Sequence, residues 1–205
     1  MRYFFIEPAA LETQPVTISG ADARHICTVL HFRPGDTIGL LDGTGGGYRA
    51  KISHVSLTKV TVKVLGELPA ASPPPVRLVV AQAYLKDKKM DHLVRRLSEL
   101  GMAEWKPFVS TRSVARPPEK RMAARHERWQ NIAREAIKQC HRADLPIIHP
   151  CCSFDALLAD SGDHHRRIMF WEQVPEAVDW SESQASEKDT DELMVVLGPE
   201  GGFTR

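Results

Sequence analysis

Two stretches of this sequence have residue types and spacings that suit chemistry. The first is LGPEGG, residues 197–202, which directly follows the apolar run LMVV. In open α/β sheets, ligands bind beyond the carboxyl ends of the strands. Glycines there permit positive φ and let a ligand approach bare backbone, whose N–H and C=O groups can read an adenine or a ribose. Glu200 is the only ionisable group in the stretch. A plain tight turn would have the same pattern, so the spacing alone leaves both interpretations open.

The second stretch is rich in arginine. Arg112 and Arg116 stand in STRSVARPP, and Arg134, Lys138 and Arg142 repeat at i, i+4 and i+8 in the following segment. A guanidinium binds phosphate through two parallel hydrogen bonds, so such a cluster favours contact with a nucleic-acid backbone. Ion pairing within a helix, for example with the neighbouring glutamate, is the alternative.

The distribution of charge agrees with a nucleic-acid partner. The formal net charge of the 205 residues is only +1. Residues 77–142 carry 16 Lys and Arg against 7 Asp and Glu, a net charge of +9. Residues 176–192 carry 7 acidic residues and one lysine, a net charge of −6. A basic block is typical of a phosphate-binding surface, although a solvated helix surface would give the same count.

Composition argues against several other classes of protein. The chain is 42% hydrophobic and 26% charged, as in an ordinary soluble domain. No apolar run reaches the roughly 18 residues of a membrane helix, and MRYFFIEP reads as a strand rather than a signal peptide. The four cysteines show no CxxC spacing and the nine histidines no HxxxH or HExxH pattern. We therefore expect a cytoplasmic protein with free thiols, no metal and no membrane partner.

Two blocks must position these candidate residues. The proline run PPP at 73–75 interrupts regular structure, so we predict domains at residues 1–71 and 72–205. The first block has several short strand patterns, glycine turns and one short helix with Ser19 as its N-cap, which favours a small β-barrel. DGTGGG joins two of these strands and is predicted to be a hairpin turn rather than a phosphate loop.

The second block alternates between apolar strand patterns and helical ones. VRLVVAQA, WKPFVS, LPIIHP, RRIMFW and LMVVLG are predicted strands. A helix is predicted across DKKMDHLVRRLSELG with Gly101 at its C-terminal end, a longer one over about 120–141, and a short one at FDALLAD. This β-α-β order predicts a mainly parallel sheet. The acidic stretch SESQASEKDTDE reads as a surface loop.

Taken together, these segments resemble the RsmE family of 16S rRNA uridine-N3 methyltransferases, in the SPOUT or α/β-knot superfamily. The resemblance rests on RYFF, HICTVLHFRPGD, KDKKMDHLVRRLSELG, FVSTRSV, RWQNIAREAIKQCHRADLP and LGPEGGFT, in that order. It implies an α+β protein of two domains: an N-terminal PUA-like small β-barrel and a C-terminal SPOUT domain with a trefoil knot. The sequence ends before the segment that closes the knot in this family, so we expect that part of the knot to be absent from this chain.

The resemblance also implies an activity. It implies an enzyme that uses S-adenosylmethionine to methylate N3 of the uridine at position 1498 of 16S rRNA in the small ribosomal subunit, and that acts as a homodimer. The candidate cofactor contacts are Leu197, Gly198, Pro199, Glu200, Gly201 and Gly202. The candidate RNA contacts are Arg24, His25, Arg112, Arg116, Arg134, Lys138 and Arg142. The candidate catalytic residues are Arg112 and Arg142, near the uridine oxygens, and Glu200, near the cofactor.

Two other functions remain open from the sequence. A non-catalytic module for rRNA binding or ribosome assembly would use the same barrel and the same arginines. A SPOUT enzyme that modifies another RNA base would share the fold and the cofactor. For the uridine-N3 enzyme, the target atom lies on the Watson–Crick edge, so the uridine must be unpaired or flipped out of its helix.

Overall fold

The computed structural model describes residues 1–69, 74–86, 88–114, 118–160, 166–171 and 191–204. These residues form two compact units, Met1–Pro73 with Arg134–Leu145, and Pro74–Ala133 with Pro146–Arg205. Arg116 and all but the last two residues of the predicted acidic loop lie outside the described residues. The predicted domain division at residues 71 and 72 stays a prediction.

The first unit contains a five-stranded sheet with the order β1-β3-β4-β5-β2. Its strands are β1 (Tyr3–Phe5), β2 (Val16–Ser19), β3 (Thr37–Leu41), β4 (Gly47–Val55) and β5 (Lys59–Glu67). β1 pairs with β3 in parallel, and the other neighbours are antiparallel. Side chains that alternate along β2 and β5 are fully or almost fully buried, as a half-buried strand requires. The strands predicted here are confirmed, while closure into a barrel stays a prediction.

Two local features of the first unit follow their sequence signals. Helix α1 (Gly20–Thr28) buries Ala23 and Ile26 against the sheet core, and Ser19 occupies its N-cap position without a side-chain capping hydrogen bond. DGTGGG is the hairpin turn between β3 and β4. The Asp42 carboxylate accepts hydrogen bonds from the N–H groups of Thr44 (2.8 Å) and Gly46 (2.9 Å), which closes that turn.

The second unit is built on a sheet whose described pairs are all parallel. Its strands are β6 (Arg77–Ala83), β7 (Glu104–Val109), β8 (Ile147–Ile148), β9 (Cys152–Ser153), β10 (Arg166–Phe170) and β11 (Glu192–Leu197). The order is β10-β11-β6-β7-β8, with β9 also on β7. The predicted parallel sheet is confirmed. β6 is buried from Val79 to Ala83, which explains its continuous apolar sequence.

The helices also follow the predicted pattern, with two local differences. α2 (Lys89–Leu100) buries Met90, Val94 and Ser98, whereas Leu100 is 70% exposed. The buried face therefore runs along positions i, i+4 and i+8. The buried Ser98 hydroxyl donates a hydrogen bond to the Val94 carbonyl oxygen at 2.6 Å. α3 (Met122–Cys140) begins later than predicted because a 3₁₀ turn precedes it. α4 (Phe154–Asp160) is the predicted short helix.

In the described ranges, no helix combines the length and the apolar character needed to cross a membrane. Nor do three or more His, Cys, Asp or Glu side chains come together there as a metal site would require. The four cysteines are free thiols. Burial, and secondly Cys152, raises the pKa of Cys151 to about 12, so this thiol stays protonated at neutral pH.

Gly101 ends α2 in the left-handed conformation, with φ 89° and ψ 31°. A Cβ at such a position costs about 1–2 kcal/mol, so we expect Gly101→Ala to lower the free energy of unfolding by about 1 kcal/mol. Gly101→Asn should lose less, because asparagine tolerates this region. Urea unfolding followed by circular dichroism measures both variants. Equal stability of the alanine variant and the parent protein would contradict this account of the helix end.

Candidate functional site

The candidate site lies where three neighbouring parallel strands end. β11, β6 and β7 are adjacent in the sheet, and their carboxyl ends lead into the turn 198–202, residues 84–86 and residues 110–114. Polar groups from three distant parts of the sequence come within hydrogen-bonding distance there. This edge is the place where open α/β sheets bind ligands.

Gln82 fixes the beginning of the turn. Its side chain is buried inside β6, with 4% of the residue exposed. The Nε2 amide donates hydrogen bonds to the carbonyl oxygens of Ala83 (3.0 Å) and Gly198 (3.1 Å). A buried amide without partners would be costly, so this pairing holds the turn against the end of β6.

Arg112 fixes the other end of the turn. Its Nη1 donates hydrogen bonds to the carbonyl oxygens of Gly201 (3.2 Å) and Phe203 (3.1 Å). A Cβ on Gly201 would lie 3.3 Å from the Arg112 carbonyl oxygen and 3.4 Å from its Cβ, so the two backbones touch closely. A side chain at this position would therefore require a small shift where the turn meets the loop after β7.

Glu200, at the tip of the turn, contacts the loop after β6. Its Oε1 accepts hydrogen bonds from Lys89 Nζ at 2.7 Å and from the Lys86 N–H at 3.3 Å. The bond from Lys89 is the main cause that lowers the pKa of the Glu200 carboxyl below its usual value. Glu200 is therefore ionised at neutral pH, and a carboxylate with a lowered pKa is a weak base.

An aromatic cluster supports the turn from the protein core. Phe203 is 5% exposed, and its ring lies 6.5 Å from Phe108 and 5.7 Å from Phe154, measured between ring centroids. A Cβ on Gly198 would lie 3.0 Å from the Phe203 ring. Gly202 has a φ of 67°, and its N–H donates to the Pro199 carbonyl at 2.9 Å, so the turn also closes on itself.

The resulting site is a rigid turn with accessible backbone. Glu200 and Gly201 are exposed, while the carbonyls on either side are held by Gln82 and Arg112. A nucleoside can approach such a turn closely because glycine offers no side chain in its way. The six residues proposed as cofactor contacts from the sequence all lie in this turn or at the end of β11, and their role as contacts stays a prediction.

The candidate RNA contacts are divided between the two units. Arg112 follows β7 in the second unit, and Arg116 lies outside the described residues. The others belong to the first unit: Arg24 and His25 are exposed on α1, Arg134 is exposed and Lys138 half-buried on α3, and Arg142 is half-buried just beyond α3. Their contact with RNA stays a prediction.

Lys138 is the candidate RNA contact whose surroundings are most fully defined. Its Nζ lies 3.0 Å from Asp22 Oδ1 and 2.9 Å from Glu135 Oε1. Pairing with Glu135 is the ion pair within the helix that the sequence left open as an alternative. The Lys138 ammonium is therefore already paired with two carboxylates and is not a free cation for phosphate.

Sequence reasoning missed Gln82, Lys86 and Lys89. All three belong to AQAYLKDKK, at and after the end of β6. The rule that ligands lie beyond the carboxyl ends of parallel strands identified the end of β11, and applied to β6 it would have identified these residues as well. Their contacts with the turn depend on the order of strands in the sheet, which the sequence does not state.

The chain resembles known families and proteins along almost its whole length. A family model described as "RNA methyltransferase domain" matches residues 72–205, and one described as "RNA methyltransferase PUA domain" matches residues 18–65. The Ribosomal RNA small subunit methyltransferase E of Bacillus subtilis is 29% identical over 210 residues, covering 100% of this chain and 82% of that protein. The protein of the same name from Synechocystis is 24% identical, covering 97% of this chain and 64% of its own length.

A solved structure has the same fold. The crystal structure of a Ribosomal RNA small subunit methyltransferase E from Neisseria gonorrhoeae bound to S-adenosyl methionine superposes with a TM-score of 0.86 and 25% identity. The alignment covers 100% of this chain and 82% of that one. The similarity therefore includes both units, as well as the turn and the loops that hold it.

The ion pair of Glu200 leads to a pH prediction. A lowered pKa in the folded protein means that the contact stabilises the turn above the ordinary carboxyl pKa, and that this stabilisation is lost as the pH falls through the lowered value. We expect Lys89→Met to raise the pKa of Glu200 towards its ordinary value, as measured by NMR titration of the carboxyl carbon. Lys88→Met removes the same charge one residue away and is the matched control. An equal shift in both variants would show that the specific hydrogen bond has no part in the effect.

Proposed function

The chain belongs to the family of RNA methyltransferases whose domain model matches residues 72–205, and we propose that it methylates the 16S rRNA of the small ribosomal subunit at N3 of the uridine at position 1498. The cofactor of this proposed reaction is S-adenosylmethionine. Two proteins named Ribosomal RNA small subunit methyltransferase E are similar to this chain, and the resemblance of the sequence to the RsmE family agrees with that similarity. The position of the uridine rests on that resemblance.

One observation carries the proposal: the glycine turn after β11 is held by side chains from the ends of β6 and β7, the next two strands along the sheet. Gln82 binds Gly198, Lys89 binds Glu200, and Arg112 binds Gly201. The bonds from Gln82 and Arg112 fix backbone carbonyls, whereas the bond from Lys89 holds the Glu200 side chain. Glu200 and Gly201, at the tip of the turn, remain exposed. A turn built in this way suits the recognition of a nucleoside by preorganised backbone groups, which lose little conformational entropy on binding.

The residues present fit S-adenosylmethionine. The backbone of residues 197–202 would hold the adenosine part, since glycine lets the ligand lie against the main chain. When bound, the cofactor supplies an already activated methyl group, so the protein mainly has to orient the two reactants. Gln82 and Arg112 keep the turn in one shape, and the Phe203 cluster excludes water from its inner side.

At the uridine, the protein must handle one proton and one developing charge. N3 has to lose its proton, which passes to solvent, because its lone pair is delocalised into the ring. Negative charge then spreads to the two carbonyl oxygens of the base. A guanidinium beside those oxygens stabilises this charge. We propose that Arg112 has this role, in addition to its bonds to the turn. Glu200 is better suited to bind Lys86 and Lys89 than to accept the proton, because its pKa is lowered.

The remaining proposals concern assembly and location. We propose that the second unit has the SPOUT fold and pairs with a second copy as a homodimer. The first unit would be a PUA-like barrel that holds the rRNA, with Arg24, His25, Arg134 and Arg142 near the phosphates. A protein that acts on ribosomal subunits would work in the cytoplasm. The RsmE resemblance supports these points, as does the match of residues 18–65 to the PUA family.

Arg112→Lys tests how the turn is held. Lysine offers a single nitrogen and no planar fork, so it cannot reproduce the two bonds to Gly201 and Phe203 with the same geometry. We expect the dissociation constant for S-adenosylmethionine, measured by calorimetry, to rise about tenfold, which is the usual cost of one lost hydrogen bond from a charged donor. Arg95→Lys, at an exposed position on α2, is the matched control and should bind as the parent does.

Arg112→Ala tests the proposed catalytic role. We expect its turnover to fall by more than its cofactor affinity explains, because charge on the uridine develops only during the reaction. Unchanged turnover with cofactor at saturation would remove Arg112 from the catalytic assignment.

The substrate is tested with small ribosomal subunits from a strain that lacks its own enzyme. We expect the protein and S-adenosylmethionine to add one methyl group at uridine 1498, located by mass mapping of the digested 16S rRNA. A methyl group on another nucleotide would identify an enzyme with a different target. Binding of the rRNA without any methyl transfer, together with no cofactor binding in calorimetry, would identify a non-catalytic module instead.

A further inference from the structure

The first unit contains a cavity that none of the proposals above has used. Its volume is about 530 Å³, which is within the usual range for pockets that enclose small organic ligands. β1, α1 and the end of α3 form its walls. His25 and Lys138, two candidate RNA contacts that are far apart in the sequence, both line it. The same cavity also contains acidic and aromatic groups, so its chemistry is more specific than attraction to phosphate.

One side of the cavity carries a pair of flat rings. Tyr3 and His141 lie 4.3 Å apart between ring centroids, with an angle of 34° between their planes. The Tyr3 ring rests on bare backbone, because a Cβ on Gly39 would lie 2.4 Å from its Cδ1. His141 is held with φ at 61°, in the left-handed region that non-glycine residues rarely adopt. Unpaired RNA bases commonly stack on rings of these two types.

A second part of the cavity is a cluster of hydrogen-bond acceptors. Lys138, whose side chain is 14% exposed, lies 3.0 and 3.2 Å from the two carboxylate oxygens of Asp22 and 2.9 Å from Glu135 Oε1. The ammonium thus directs its hydrogens to the two carboxylates. Each carboxylate oxygen still has lone pairs for another donor. Asp22 and Glu135 remain partly exposed, with 30% and 63% of their side chains accessible.

This cluster therefore selects a ligand that donates hydrogen bonds. Lys138 offsets one of the two negative charges, so the carboxylates can meet a neutral donor as well as a cation. Among the four RNA bases, guanine alone has two parallel donors on adjacent atoms, the N1–H and the N2 amino group. These two donors match the two oxygens of one carboxylate, as an arginine fork does. Adenine, cytosine and uracil each offer a single donor group on that edge.

We propose that this cavity binds one unpaired guanine base of the RNA substrate, with Asp22 on its Watson–Crick edge and the Tyr3–His141 pair against its face. Arg2 also lines the cavity and is exposed, so it can meet the phosphate that accompanies the base. The inference rests on the proposed function, because it assumes that RNA is the substrate. It adds a specificity site in the first unit, separate from the turn at 197–202.

The test measures binding of short, fluorescently labelled single-stranded RNAs that contain one guanosine in a uridine background. In matched RNAs, the guanosine is replaced by inosine, which lacks only the N2 amino group, or by adenosine. We expect the guanosine RNA to bind the protein about tenfold more tightly than the inosine RNA, as one charge-assisted hydrogen bond would provide. Free guanosine monophosphate should compete only weakly, because it lacks the flanking phosphates.

Two variants assign this preference to the cavity. Asp22→Asn should remove the distinction between guanosine and inosine. His141→Asn removes one ring but suits the left-handed backbone, so it should weaken all the RNAs by a similar factor. Glu12→Gln changes an exposed carboxylate of the same unit outside the cavity and should keep the full preference. Circular dichroism identifies any variant that fails to fold, and the His141 variant then tests the cavity without touching the Lys138 ion pairs.

The outcomes separate this inference from the proposed function. Equal binding of the guanosine, inosine and adenosine RNAs overturns the guanine pocket. A preference that survives Asp22→Asn also overturns it. Guanosine monophosphate that competes as well as the RNA would identify a free-nucleotide site and overturn the assignment to RNA. These measurements use neither cofactor calorimetry nor rRNA methylation. The absence of a guanine preference would therefore not affect the proposed methyl transfer. A negative methylation assay would likewise not affect the RNA-binding result.

Discussion

The hydrogen-bonded order of three parallel strands determines the geometry of the candidate site. β11 lies beside β6, and β6 lies beside β7, in continuous parallel register. Parallel strands end on the same side of a sheet, so this order alone brings residues 82–89, 110–114 and 198–203 together. A different neighbour for β6 would separate Gln82 from Gly198. β6 is buried on both faces, so it lies inside the sheet with β11 on one side and β7 on the other.

The turn at 197–202 owes its fixed shape to side chains that bind backbone. Gln82 and Arg112 donate to its carbonyl oxygens, and Glu200 accepts from the loop after β6. A Cβ on Gly198 or Gly201 would make a tight contact with Phe203 or Arg112, so these neighbours would have to shift slightly. Gln82, Arg112 and Glu200 thus hold the turn in place through their hydrogen bonds. Preorganisation of this kind lowers the entropic cost of binding a ligand.

The first unit uses charge differently. Lys138 is engaged with Asp22 and Glu135, so a cation that looked available for phosphate in the sequence instead orients two carboxylates. Counting basic residues showed that the segment 77–142 has a positive net charge. It did not show which of these charges remain available, because pairing depends on side chains that come together only when α1 and the C-terminal part of α3 fold into the first unit.

The sequence by itself determined the elements and the family. Apolar periodicity predicted the strands and helices, Gly101 marked the end of α2, and the ordered motifs pointed to a methyltransferase. These signals are local, since they depend on backbone preferences and on which face of a single element is buried. Only the tertiary structure decided that Gln82 and Lys89 support the turn, that Lys138 is paired, and that Tyr3, Asp22 and His141 share a cavity. Such contacts join residues far apart in the chain, and their geometry depends on strand order and packing, which no local pattern encodes.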